Sequence, residues 1–128
     1  MKFVTNNIQW VMLIAGITTA TMLLALIAPS TTLNMMFGDD LTGPLAQIVV
    51  RNWGLLIGVV GLMLIYAAFQ PTLRRFVIVV AIVTKLAFIS LILIYGQAYL
   101  AKALASIVFD AAIIILFALY LMSERDPT

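Results

Sequence analysis

The stretch LRRFVIVVAIVTKLAFISLILIY, Leu73 to Tyr95, decides the fold. A bilayer core about 30 Å thick is crossed by about 20 predominantly apolar residues in a helix. Beyond Arg74 and Arg75, this stretch has that length, one charge (Lys85) and a stop at Gly96. Three other segments read the same way. One runs from about Ile8 to Ala28 and ends at Pro29, one from about Ala46 to Phe69 and ends before Pro71. The last runs from about Ala101 to Met122, before the polar tail Ser123-Glu124-Arg125-Asp126-Pro127-Thr128. Proline or glycine just past a helix end is an ordinary stop signal. The expectation is an all-α, antiparallel bundle of four transmembrane helices, with residues 1–128 forming a single integral membrane domain.

Composition points the same way. Of 128 residues, 65% are hydrophobic and 9% charged, and the mean hydropathy is +1.21. Soluble domains run at about 45–50% apolar and about 25% charged. So few charges cannot coat a water-facing surface, and a disordered chain would need the opposite composition. The absence of cysteine excludes disulfides, thiolate zinc sites and cysteine-held clusters. The absence of histidine removes the usual haem, copper and iron ligands and the histidine-based catalytic triads. No metal site is expected. The net charge of +2 comes from scattered basic residues that form no patch, so nucleic acid is not an expected partner. The first span exceeds the 7–15 apolar residues typical of a cleaved signal peptide, and Leu26-Ile27-Ala28-Pro29 makes a poor cleavage site. It is expected to remain in the protein.

Basic residues in short connections set orientation. Lys2, Arg74, Arg75 and Arg125 fall on one side; Asp39, Asp40 and Lys102 fall on the other. That bias predicts both termini in the cytoplasm of an inner membrane, with the first loop in the periplasm. Trp10, Trp53, Tyr95, Tyr99 and Tyr120 lie near span ends, where amphipathic aromatics settle. The longest connection, Pro29 to Leu45, is too short for its own core. Ser30-Thr31-Thr32 and Phe37-Gly38-Asp39-Asp40 read there as turn chemistry, and Met35-Met36-Phe37 as a segment dipping into the interface.

Ionisable residues within a bilayer core are costly and, by default, functional candidates. Lys85 and Asp110 both fall near mid-depth, on spans joined by a short turn. Either alone costs about 2.5–3.5 kcal/mol at a helix centre, so a pair is expected. Such a pair can act as a register lock, a ligand site or both. Arg51 lies one to two turns inside the second span. At about 100° per residue, Gln47, Arg51, Gly54, Gly58, Gly61, Ile65 and Ala68 share one stripe. Gly54 and Gly58 form a GxxxG motif, which admits a close second helix within the chain or in a homodimer. Leu55, Leu56, Val59, Leu62 and Met63 form the opposite, lipid-facing side. Ser106 precedes Asp110 by one turn on the same face. Ser106, Ser90, Thr84, Thr18, Thr19 and Thr21 are each expected mostly to bond back to their own helices.

Gln47, Arg51, Lys85, Ser106 and Asp110 therefore outline a polar vestibule open to the periplasm above an apolar floor. With two cations and one anion it would hold a net charge of +1, suited to an anion or a polar carbonyl head. The Gly54/Gly58 face would leave room for an apolar tail.

The residues Arg51-Asn-Trp-Gly54, the glycine-rich stretch after them, Pro71-Thr-Leu-Arg-Arg75, Lys85 and Asp110 together resemble the DoxX-like small four-helix membrane proteins. The similarity spans roughly Gln47 to Met122, and the first helix matches only as a hydrophobic span. The resemblance implies a compact four-helix bundle. It also implies either a subunit role in quinone-linked redox or detoxification complexes or, more distantly, a ligand pocket within the membrane. Without cysteine or histidine, redox chemistry here would need a bound quinone.

Three functions follow. The first is binding of an amphiphilic or anionic small molecule, such as a lipid or quinone, by Arg51, Lys85, Asp110, Ser106 and Gln47. The second is an accessory or assembly subunit of a larger membrane complex, with the ion pair purely structural. The third is an enzyme or an oligomeric transporter. No motif supports a named reaction, and no inverted repeat or broken helix marks a transporter. No catalytic residue is assigned.

Overall fold

The computed structural model describes residues 2–125, with side chains from 6 to 123. The end of the polar tail and the side chains of Lys2 and Arg125 lie outside the described residues. The described residues form six α-helices: α1 (Lys2–Ala20), α2 (Leu24–Ile27), α3 (Pro29–Phe37), α4 (Pro44–Ala68), α5 (Pro71–Tyr95) and α6 (Leu100–Arg125). No strand occurs among the described residues. A single 3-10 turn, Thr21–Leu23, joins α1 to α2, so these three pieces make one continuous first span. Four segments are long and apolar enough to cross a membrane: Asn6–Ile27, Pro44–Ala68, Pro71–Tyr95 and Gln97–Ser123. The protein is thus a helical bundle of the multi-pass membrane type.

The prolines account for the boundaries. Pro29, Pro44 and Pro71 each occupy the first turn of a helix, not a position beyond the end of one. Proline has no N–H to lose there, and its fixed φ suits a helix start. The second and third spans consequently begin two residues earlier than their hydropathy suggested. The same rule corrects the first connection. Pro29–Phe37, read from sequence as a loop with turn residues, is a helix. Thr32 and Asn34 bond back to the Ala28 and Ser30 carbonyls, so their polar groups support the helix instead of breaking it. Gly38 ends α3 with φ 71°, a left-handed cap that glycine adopts without steric cost.

α4 is the spine. The first span packs along its glycine stripe so closely that added methyl groups would collide. A Cβ on Gly61 would lie 2.3 Å from the Ala20 backbone nitrogen, and one on Gly54 would lie 2.4 Å from the Ala25 Cβ. One on Gly16 of α1 would meet the Gly61 carbonyl at 2.8 Å. Glycine costs a helix about 0.5–1 kcal/mol relative to alanine. Close backbone approach offsets this in lipid, where helices gain no hydrophobic drive from meeting each other. This contact fills the Gly54/Gly58 face with Met22, Leu23 and Ala25, so that face has no room for a ligand tail. Leu55, Leu56, Val59 and Leu62 are exposed on the opposite side, while Met63 packs partly against the core.

The main core fills the end of the bundle near the Phe69–Gln70 turn. Ile8 and Met12 of α1, Leu64 and Ala67 of α4, Ile78 and Ala81 of α5, and Ile113 and Phe117 of α6 form one cluster. A second, smaller cluster of Ala25, Leu33 and Val50 lies at the end covered by α3, with Phe37 and Trp53 against it. Two arginines satisfy carbonyls where spans end. Arg51 donates to Leu26 O at 2.6 Å, beside the break at Pro29, and Arg74 donates to Ala68 O at 2.7 Å.

The glycine contacts rank two substitutions. Gly61→Ala forces backbone apart from backbone and should cost about 1–3 kcal/mol. Gly58→Ala meets chiefly the movable Leu23 side chain and should cost less. Thermal unfolding of both variants in one detergent checks the order, and equal losses would contradict this packing.

Candidate functional site

Lys85 and Asp110 sit on core positions of their helices. On α5, Ile78, Ala81, Lys85 and Ile92 are buried at spacings of three, four and seven. On α6, Ala103, Ile113, Phe117 and Tyr120 are buried in the same rhythm, and Ser106 and Asp110 complete it. That stripe turns both charges into the bundle. Lys85 Nζ donates to Asp110 Oδ1 at 2.8 Å. Only 7% of Lys85 is exposed. The ammonium also reaches Thr19 Oγ1 of α1 at 3.3 Å. One cation therefore ties three helices together.

This pair is not packed in solid. A cavity of about 360 Å³ lies beside it, bounded by Lys85, Ser106 and Asp110 on one wall and by Trp53, Phe88 and Phe109 among its apolar walls. That volume falls within the ~300–1,000 Å³ usual for small-molecule sites. Its base is the main core, because Ala81 and Ile113 lie one turn beyond Lys85 and Asp110 toward the Phe69–Gln70 turn. Its far end is roofed by α3. Met36 lines the cavity, and Phe37 gathers Trp53, Phe88 and Tyr99 with ring centroids 5.8–6.4 Å apart. Tyr99 OH donates to Asp39 Oδ2 at 3.1 Å, fastening the end of the roof to the turn before α6. The exposed lining residues are Thr18 and Thr21 of the first span and Ala105 of α6. They mark a mouth in the side of the bundle, whereas the sequence suggested an opening along its axis.

Three of the five expected ligand residues come together here: Lys85, Asp110 and Ser106. The structure leaves the other two apart. The Arg51 guanidinium lies on the Leu26 carbonyl, and Gln47 is in the first turn of α4; neither lines the cavity. The charge on the wall is one cation and one anion, not two cations and one anion.

The hydroxyls divide in an informative way. Thr18, Thr21 and Thr84 bond back to carbonyls of their own span. Thr19 faces inward and accepts from Lys85. Ser106 Oγ makes no hydrogen bond to any described residue, although a back-bond is the common habit in helices. Asp110 Oδ2 likewise receives no donor from the described residues. Sequence reasoning grouped Thr19 with its neighbours. Its heptad position, four residues after Ala15, was the signal that separates it. Trp53, read as an interfacial aromatic, lines the cavity because it precedes Gly54 at the edge of the packed stripe.

No group of three or more acidic residues able to hold a metal occurs among the described residues. Comparisons with protein-family models, curated proteins and solved structures find no match to this chain.

The pair can be weighed by truncation. Lys85→Met leaves a carboxylate without its cation inside the bundle and should cost about 3–5 kcal/mol of stability. Lys85→Met with Asp110→Leu replaces both charges by apolar groups of similar volume. It should return most of that loss, as buried ion pairs exchanged for apolar pairs generally do. Unfolding in detergent reads both; a double variant as unstable as the single one would show that the ion pair itself holds the bundle.

Proposed function

We propose that this chain is an inner-membrane protein that holds an amphiphilic small molecule, a lipid or a quinone-like compound, without acting on it chemically. The observation that carries this reading is the cavity beside an intramembrane ion pair. A pair serving only to lock two helices would be closed in by side chains, as the core one turn away is. Here Asp110 and Ser106 instead present polar atoms to a space with apolar walls. Few polar groups converging on an apolar pocket is the common form of a small-molecule site. Lys85, Asp110 and Ser106 would take the head, and Trp53, Phe88 and Phe109 the start of the tail. Arg51 and Gln47 have no part in the contact; Arg51 instead steadies the first span.

The four spans alternate in direction in this proposal, with both termini cytoplasmic. Arg74 and Arg75, together with Lys2 and Arg125, outnumber Lys102 on the opposite side, which also carries Asp39 and Asp40. The α3 roof then faces the periplasm. Kinship with the DoxX-like group belongs to the same proposal and rests on Arg51, Gly54, Lys85 and Asp110.

Two experiments test it. Lipids retained through purification are identified by mass spectrometry for the wild type, for Ala105→Trp at the mouth, and for the Lys85→Met/Asp110→Leu pair. A species enriched in the wild type and depleted at least about tenfold in both variants is expected, a loss of about 1.4 kcal/mol of binding. Identical lipid content in all three would refute binding at this site and return the pair to a structural role. Orientation is read by fusing reporters after Thr128: a fluorescent protein should mature there and alkaline phosphatase should stay inactive.

A further inference from the structure

The cavity wall carries two formal charges of opposite sign, already bonded to each other at 2.8 Å. The other intramembrane cation, Arg51, is bonded to Leu26 O and does not line the cavity. An anionic head placed beside Lys85 would also stand beside Asp110. Attraction and repulsion at similar distance largely cancel. The anion would still lose its hydration on leaving water, a cost that only a net opposite charge or several donors offset. A cationic head meets the same difficulty with the signs reversed.

What the wall does present is donor and acceptor capacity without net charge. Lys85 has three N–H donors, two of them directed to Asp110 and Thr19. Asp110 Oδ2 is an acceptor with no donor among the described residues. Ser106 Oγ can donate and accept, and it is free of its own helix backbone. Asp110 and Ser106 lie one turn apart on one face, about 6 Å along the helix axis. Two polar points at that separation match a head bearing more than one hydroxyl or ester oxygen. The mouth between Thr18, Thr21 and Ala105 lies partway along the spans and is flanked by exposed apolar residues such as Ile17, Leu104 and Val108. A ligand using it arrives from the hydrocarbon and not from water.

We infer that the ligand is a neutral amphiphile taken from the bilayer, an apolar chain with an uncharged, hydroxyl-bearing head of the monoacylglycerol kind, and not an anionic lipid. This rests on the amphiphile-binding reading above and narrows it.

The test compares two probes that share the same acyl chain and glycerol and differ by one phosphate group: 1-oleoylglycerol and 1-oleoylglycerol 3-phosphate. Each is titrated into the purified full-length protein in nonionic detergent, with binding read by native mass spectrometry and, in a Trp10→Phe background, by fluorescence of Trp53, which lines the cavity. The wild type should bind the neutral lipid at least about tenfold more tightly, a difference of about 1.4 kcal/mol. Asp110→Asn gives the wall a net positive charge and should shift preference toward the phosphate by a similar factor. Equal or tighter binding of the phosphate by the wild type overturns the neutral-head inference while leaving the cavity an amphiphile site. Failure of both lipids to bind overturns the amphiphile reading itself. A folded Asp110→Asn protein with unchanged preference also overturns the inference. If that variant does not fold, the wild-type comparison alone decides.

Discussion

Lys85 stands on a core position of α5, and an ammonium in that place must find an anion within the bundle or pull the helix toward water. It finds Asp110 on α6 and a hydroxyl on α1. The consequences reach beyond the pair. The pair borders the cavity, whereas Leu64 and Phe117, toward the Phe69–Gln70 turn, are fully buried. The bundle is solid on one side of the pair and hollow on the other.

Holding a hollow open between helices requires that the rest of the bundle be held firmly. The glycine contact between the first span and α4 supplies this by bringing backbones together where side chains would keep them apart. Lipid demands that broken helices still satisfy their backbone groups. Ala28 leaves the helical conformation (φ −133°, ψ 73°), so the last carbonyls of the first span lack their usual intrahelical donors, and Arg51 donates to Leu26 O there. The third charge of the membrane region is thus a backbone partner, and this role leaves the cavity wall electrically balanced.

The α3 roof links these features. Its buried side, Pro29, Thr32 and Leu33, rests on the bundle, with Met36 over the cavity and Phe37 among three aromatic rings. The end of the bundle is covered by aromatic packing and by the Tyr99–Asp39 hydrogen bond, and the exposed lining of the cavity lies between the first span and α6, the route of entry in the proposed function. A route through the side suits molecules dissolved in the membrane.

The sequence by itself determined the number of spans, since only apolar segments of such length can shed their backbone polarity into lipid. It also set Lys85 and Asp110 at matching depth with opposite charge, so that a pair was expected; that both face inward, on three-four repeats of buried positions, is read from the structure. It could not place Arg51. The stripe it shares with Gly54 and Gly58 points toward the first span, and only the packed position of Leu26 shows that a carbonyl waits there. Nor could it reveal α3, because Ser30, Thr31 and Thr32 favour turns locally and become helical when Leu33 and Phe37 find the bundle. The cavity was equally beyond it. An enclosed space depends on which side chains fail to meet, and that is set by the separation of four helices and not by the order of residues along any one of them.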